Sequence, residues 1–347
     1  MSETSPGNGK KLLMLNLPGK KYLKYVGNIL LLVGTVTTIL LLLEFFVRVS
    51  GLQPMNPIPQ IHQRSSIPGL FYDLKPNMKN VDGFGHESVS TDSSGFRSPE
   101  PDRRKPTIVF LGDSMAYGYG VENNEANPLV AGKHFSGYNV INAGVSSYNI
   151  EQATITYDSK VAGFNPELVV LEFVINDAEP KSDLSPEAGK PTEEQKKLFD
   201  ERLRSAITKP GLINFPGKFF LHKHSALFTF IERSTKALPF RKHAEIVSNE
   251  WSDADLLFYD RWLTRLSRTI GNRKKLFVLW PDGAIYPKTK YAVQKMAADN
   301  GWLVLDLSDL FGNHYKTLVW DLHPRASEQK RAGELIAEVI LKYELLR

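Results

Sequence analysis

The sequence predicts a three-layer α/β/α sandwich on a five-stranded parallel sheet, preceded by one transmembrane helix. Three observations predict it. After residue 106, short apolar runs alternate with stretches whose apolar residues recur at helical spacing, as buried parallel strands and covering helices require. The first three of those runs stop at polar, turn-forming residues, as strands do at the edge of an open sheet where sites form. Near the start, residues 26–43 carry no charge and are dominated by Leu, Ile, Val and Thr.

The elements follow in chain order. Residues 1–24 form a basic tail, with Lys10, Lys11, Lys20, Lys21 and Lys24 against Glu3. Residues 25–47 read as the anchor, since about 20 apolar residues cross a hydrocarbon core of roughly 30 Å. The lysines before it place the tail in the cytoplasm and the rest outside, by the positive-inside rule. The expected location is a bacterial-type inner membrane, single-pass, with the catalytic domain periplasmic or otherwise extracytoplasmic. Residues 44–48 are bulky and charged and offer no small-x-small cleavage site, so an uncleaved anchor is expected rather than a signal peptide.

Residues 48–106 read as a Pro/Gly-rich tether with short edge strands that packs partly onto the domain, because Pro54, Pro57, Pro59 and Pro68 exclude a regular helix or central strand. The domain spans 107–347. Its strands are expected at 107–111, 139–143, 168–175, 275–280 and 302–307. Its helices are expected at 150–162, 254–269, 288–300 and 327–344. An insert at 179–253 separates the third strand from the fourth. Its second half is rich in aromatic and basic residues, among them Phe215, Phe219, Phe220, Phe228 and Phe230. It is read as a lid, a glycan platform or a membrane-facing surface.

Composition narrows the function. The net charge is +5, and the tail supplies +4 of it, so the domain is near neutral and no nucleic-acid partner is expected. The chain has no cysteine, which excludes disulfides, thiol catalysis and thiolate metal sites. His222 and His224 lack a supporting carboxylate pattern, so no metal is expected. Gly118 and Gly120 lack the rest of a phosphate loop, so no cofactor is expected.

Four short blocks carry the chemistry. Gly112-Asp113-Ser114 closes the first apolar run and puts a serine hydroxyl and its backbone N–H on a tight turn. Asn142-Ala143-Gly144 ends the second run, and Asn176-Asp177 ends the third. Asp321-Leu322-His323-Pro324 lies near the C-terminus. In that order they supply a nucleophile, two oxyanion donors and a base.

This set of four resembles the SGNH (GDSL-type) hydrolase superfamily over roughly residues 105–345, a group with a flavodoxin-like fold. The resemblance implies Ser114 as nucleophile, His323 as general base and Asp321 as the acid that orients it. It implies an oxyanion hole made by the Ser114 N–H, the Gly144 N–H and the Asn176 side-chain amide. Two departures stand out. Val174 occupies the position of the family's usual glycine, and the aspartate lies two rather than three residues before the histidine, where Trp320 stands. Asp306 and Asp309 are the alternative acids. Arg97, in the segment before the first block, reads as a salt-bridged structural arginine rather than a substrate contact.

The resemblance to membrane-anchored, exopolysaccharide-associated members implies a serine esterase acting on O-acyl groups, chiefly O-acetyl, of a surface or exported polysaccharide. Expected partners are the acylated glycan or another ester, the lipid bilayer through residues 25–47, and polysaccharide assembly proteins. The alternatives are a polysaccharide O-acetyltransferase, a lipid or thioester acylhydrolase, and a non-catalytic anchored scaffold of the same fold.

Overall fold

The computed structural model describes residues 19–50, 52, 61–84, 87–179, 197, 215–236, 250–281, 286–311, 318 and 323–346, side chains at 19–23, 219, 222, 223 and 233–236 excepted. The first element is a long helix, α1 (Gly19–Val49). Its segment Lys24–Val49 is long and apolar enough to cross a membrane.

Two antiparallel pairs follow. β1 (His62–Arg64) pairs with β2 (Tyr72–Leu74), and β3 (Val81–Asp82) with β4 (Ser88–Val89). Ile61, Leu70, Tyr72, Leu74, Met78, Phe84 and Val89 bury against Tyr117, Val145 and Tyr148 in a small core of their own. Tyr72 and Tyr148 lock it: each hydroxyl donates to a backbone carbonyl across the junction, at 2.9 Å to Ser146 and 2.6 Å to Tyr72.

The parallel sheet comprises β5 (Thr107–Leu111), β6 (Asn139–Asn142), β7 (Leu168–Phe173), β8 (Lys274–Leu279) and β9 (Leu303–Asp306), in the order β6-β5-β7-β8-β9. Successive side chains alternate between two cores. Val109, Leu111, Val169, Leu171 and Phe173 face α4 (Ile150–Thr156), α7 (Asp253–Ile270) and α8 (Pro287–Asp299). Ile108, Phe110, Leu168 and Val170 face α3 (Asn127–Gly132) and α10 (Ala326–Lys342). Both faces of each central strand are covered, which is why these strands are unbroken apolar runs.

The chain therefore has the expected sandwich. Differences lie at element ends. The expected third strand ran to 175, but β7 stops at Phe173 and Ile175–Ala178 turns into a 3-10 turn. The helix expected at 150–162 keeps α-helical bonding only to Thr156, then widens into a π turn, Tyr157–Val161. The chain after β9 coils at once into α9 (Leu307–Phe311), which the sequence reading did not anticipate. Within the insert, α5 (Lys218–His224) and α6 (Ala226–Lys236) are described.

The strand order reverses direction between β5 and β7, where the chain moves first to β6 on one side and then to β7 on the other. In such sheets the crevice at the carboxyl ends of those two strands is the binding position. Gly112-Asp113-Ser114 follows β5 and Asn176 follows β7, so the first and third blocks flank that crevice.

Candidate active site

Ser114 is the first residue of the short helix α2 (Ser114–Tyr117), whose N-cap is Asp113. Gly112 makes the turn possible. Its φ is +147°, and a Cβ there would lie 3.0 Å from the Glu172 carbonyl and 3.2 Å from Ala116 Cβ. Asp113 Oδ1 accepts the Met115 N–H at 3.0 Å, and its other oxygen accepts the Ser114 hydroxyl at 3.1 Å. Burial holds the Asp113 carboxyl above the usual carboxylate range, opposed by the Met115 N–H.

The decisive contact spans 209 residues of sequence: His323 Nε2 lies 2.8 Å from Ser114 Oγ. A serine hydroxyl has one proton. Given to Asp113 it leaves the serine inert; given to His323 Nε2 it makes an alkoxide-like nucleophile. The His323 ring stacks on Tyr119, with centroids 4.0 Å apart, and Tyr119 stacks in turn on Phe84 at 4.5 Å. This aromatic column fixes the plane of the imidazole. The sequence reading gave Tyr119 no role, and placed Phe84 only within the tether.

Gly144 sits directly against α2. A Cβ on it would meet the Tyr117 nitrogen at 2.4 Å and Ala116 Cβ at 2.7 Å, so only glycine lets the two segments meet. Its N–H donates to Asn142 Oδ1 at 3.0 Å. That N–H can therefore serve an oxyanion only by sharing its proton between two acceptors. Asn176 is different. Its side-chain amide makes no hydrogen bond among the described residues, and its Oδ1 is buried without a partner. Its Nδ2 hydrogens, which no described residue accepts, are available to a ligand in the crevice. Val174 is extended (φ −136°, ψ 164°), a conformation open to any residue, so the absent glycine costs the turn nothing.

Asp321 lies outside the described residues. The alternative acids are committed elsewhere: Lys290 Nζ binds Asp306 and Asp309, each at 2.7 Å. Gln294 also donates to Asp306 at 2.6 Å. Arg97 is fully buried and touches no open site. Its guanidinium donates to the carbonyls of Tyr117, Gly118 and Val121 and to Asn123 Oδ1, while packing 4.5 Å from the Tyr117 ring. It ties off the backbone behind the nucleophile; its partners are carbonyls, not the carboxylate of a salt bridge. Of His222 and His224, His224 packs on Phe220, and the side chain of His222 lies outside the described residues.

Glu172 was not anticipated. It stands on β7 beneath Gly112, wholly buried, and accepts from Trp280 Nε1 at 2.6 Å and from Asn127 Nδ2 at 3.2 Å. Desolvation lifts its pKa from 4.5 to about 8, with the Asp113 charge adding to the rise against those two donors. The folded state therefore binds this proton more tightly than the unfolded chain. Its contribution is greatest below about pH 4.5 and falls as pH rises through about 8. Glu172→Gln, which cannot titrate, should remove this slope. Urea unfolding at about pH 5 and about pH 8 should show wild type losing at least roughly 1 kcal/mol more than the variant. Equal losses would mean that Glu172 stays ionised in the fold.

Comparison with known proteins followed the same outline. A family model described as GDSL-like Lipase/Acylhydrolase matches residues 110–330. Among curated proteins none matches. Among solved structures, TesA is similar at 15% identity with a TM-score of 0.42, covering 69% of this chain and 99% of that one. The psychrotrophic esterase EstA from Pseudoalteromonas sp. is similar at 14% and 0.41, covering 69% and 98%. The lipase/acylhydrolase from Enterococcus faecalis is similar at 14% and 0.40, covering 68% and 95%. With its nucleophile turn, its serine–histidine contact and a family match over most of its length, the chain belongs to the GDSL-like lipase/acylhydrolase family and is an ester-bond hydrolase.

Proposed function

We propose that this protein is a membrane-anchored serine esterase that removes O-acyl groups, chiefly O-acetyl, from a surface or exported polysaccharide. The observation that carries the reaction is the 2.8 Å contact between His323 Nε2 and Ser114 Oγ. His323 takes the serine proton as Oγ attacks the ester carbonyl. The Ser114 N–H, the Asn176 amide and a shared Gly144 N–H receive the oxyanion. His323 then protonates the leaving alkoxide, and returns as base to the water that releases the acyl group. Asp321 is the proposed acid that orients His323.

Anchoring is supported by the apolar segment Lys24–Val49. A small acyl group is supported by the seclusion of the nucleophile: Ser114 is only 5% exposed. The polysaccharide is supported by resemblance to anchored members of the superfamily. The test is hydrolysis of model esters of increasing acyl length by the full chain, alongside an acetylated glycan. Activity falling at least about tenfold from acetyl to octanoyl esters, with acetate released from the glycan, is expected. A preference for long chains would make the protein a lipid acylhydrolase instead.

A further inference from the structure

The end of α1 is built into the insert. Glu44 accepts the N–H groups of Ala226 and Leu227, at 2.8 and 2.9 Å, and the Ser225 hydroxyl at 2.8 Å. Ser225 Oγ takes the next first-turn donor, Phe228 N–H, at 3.1 Å. The first turn of α6 therefore has three donors satisfied, two of them by a residue of another helix more than 180 positions earlier. Arg48 completes the clasp, bonding Glu44 at 2.6 Å and the carbonyl of His224, the last residue of α5, at 2.8 Å. Val47, between Glu44 and Arg48, is 3% exposed, whereas residues 24–43 of the helix are all exposed.

The position of this clasp along α1 matters. The 20-residue step from Lys24 to Glu44 rises about 30 Å at 1.5 Å per residue, which is the thickness of a hydrocarbon core. A helix entering the bilayer at Lys24 leaves it at Glu44. The α5–α6 pair is thus tied at the bilayer boundary, on the side where the catalytic domain emerges. The three helices that meet at this clasp leave large apolar side chains uncovered: Phe46 (60% exposed) and Val49 (70%) on α1, Phe220 (63%) on α5 and Ile231 (51%) on α6. A polar helix pair would have no reason to present these to water. Amphipathic helices with apolar faces of this kind lie in the interface plane, buried roughly 5–10 Å into the headgroup–acyl boundary.

We propose that α5–α6 is a second membrane contact, an interfacial helical hairpin that seats Phe220 and Ile231 in the lipid boundary and is locked to the anchor by Glu44. The occupant of the apolar surface is the bilayer itself. This rests on the reading of α1 as a span. Its consequence is orientation. The insert leaves the sheet just after Asn176 and returns at Trp251, whose indole N–H bonds the Ile175 carbonyl at 2.7 Å. The oxyanion turn is thereby rooted in the same segment that meets the lipid.

The test uses the full chain in liposomes. Because the sequence has no cysteine, single variants Leu40→Cys, Phe220→Cys, Ile231→Cys and Leu341→Cys take one environment-sensitive fluorophore each. Quenching is measured with lipids spin-labelled near the headgroup or deep in the acyl chain. The deep quencher should act on position 40, and the shallow one should reduce emission at 220 and 231 by about twofold or more, leaving 341 unaffected. In a Glu44→Ala background the shallow quenching at 220 and 231 should be lost while that at 40 persists. If 40 is quenched and both 220 and 231 behave like 341, the hairpin proposal is overturned with the span intact. If 40 itself escapes quenching, the span reading fails, and the proposal with it.

Discussion

Ser114→Ala is expected to lower ester turnover by roughly 10⁴-fold or more, with the fold unchanged, because the nucleophile and its base act as one unit. His323→Ala should cost a similar factor, and the double variant little beyond either single one. Ser114 sits on a short helix whose cap, Asp113, bonds the Met115 N–H rather than depending on the serine for its geometry. A methyl group therefore replaces the hydroxyl without disturbing the turn. A fluorophosphonate probe should label wild type and neither variant, with unfolding curves that superimpose. In the same series, Asp321→Asn should cost far more activity than Asp306→Asn, whose carboxylate is already held by Lys290. Full activity in the Ser114→Ala protein would remove the acyl-enzyme from the mechanism.

The second large effect is expected from the smallest change. Gly144→Ala puts a methyl group 2.4 Å from the Tyr117 nitrogen and 2.8 Å from the Ala116 carbonyl carbon, contacts no rotamer can relieve because the obstacles are backbone. Either α2 or the 144 segment must shift. Overpacking of this kind costs about 1–3 kcal/mol. The chemistry should suffer more, since α2 carries Ser114 and the displaced N–H belongs to the proposed oxyanion site. Loss of one oxyanion donor alone costs about 10²–10³ in kcat. Chemical unfolding and steady-state kinetics on the same preparation separate the two effects. A variant that is destabilised yet turns over normally would mean that Gly144 serves packing and not the reaction.

Much of this was legible in the chain. Leu171 and Phe173 belong to a run apolar on both faces, which marks a central parallel strand, and Ser114, Gly144 and Asn176 each stand just past such a run. What escaped the sequence depends on three-dimensional neighbours. Glu172 interrupts an apolar run with a single carboxylate, the one local sign of it, but its partners Trp280 and Asn127 are brought to it only by β8 and α3. Tyr119 and Phe84 belong to different segments and meet only because the β3–β4 pair folds over α2. The engagement of the Gly144 N–H by Asn142 could not be read at all, because it depends on the side-chain rotamer of a neighbour two residues away.

The 209-residue separation of Ser114 and His323 also sets a clock. Chains are synthesised at about 5–20 residues per second, so the proposed nucleophile exists for roughly 10–40 s before its proposed base has been made. Throughout that interval Tyr119 and Phe84 can pack on each other, but the third ring of their column is missing and Ser114 has only Asp113 to bond. The proposed Ser114–His323 pair forms only when the segment carrying His323 emerges, and α10, which follows His323 directly, packs that end of the chain against α3 through Gln329 and Asn127.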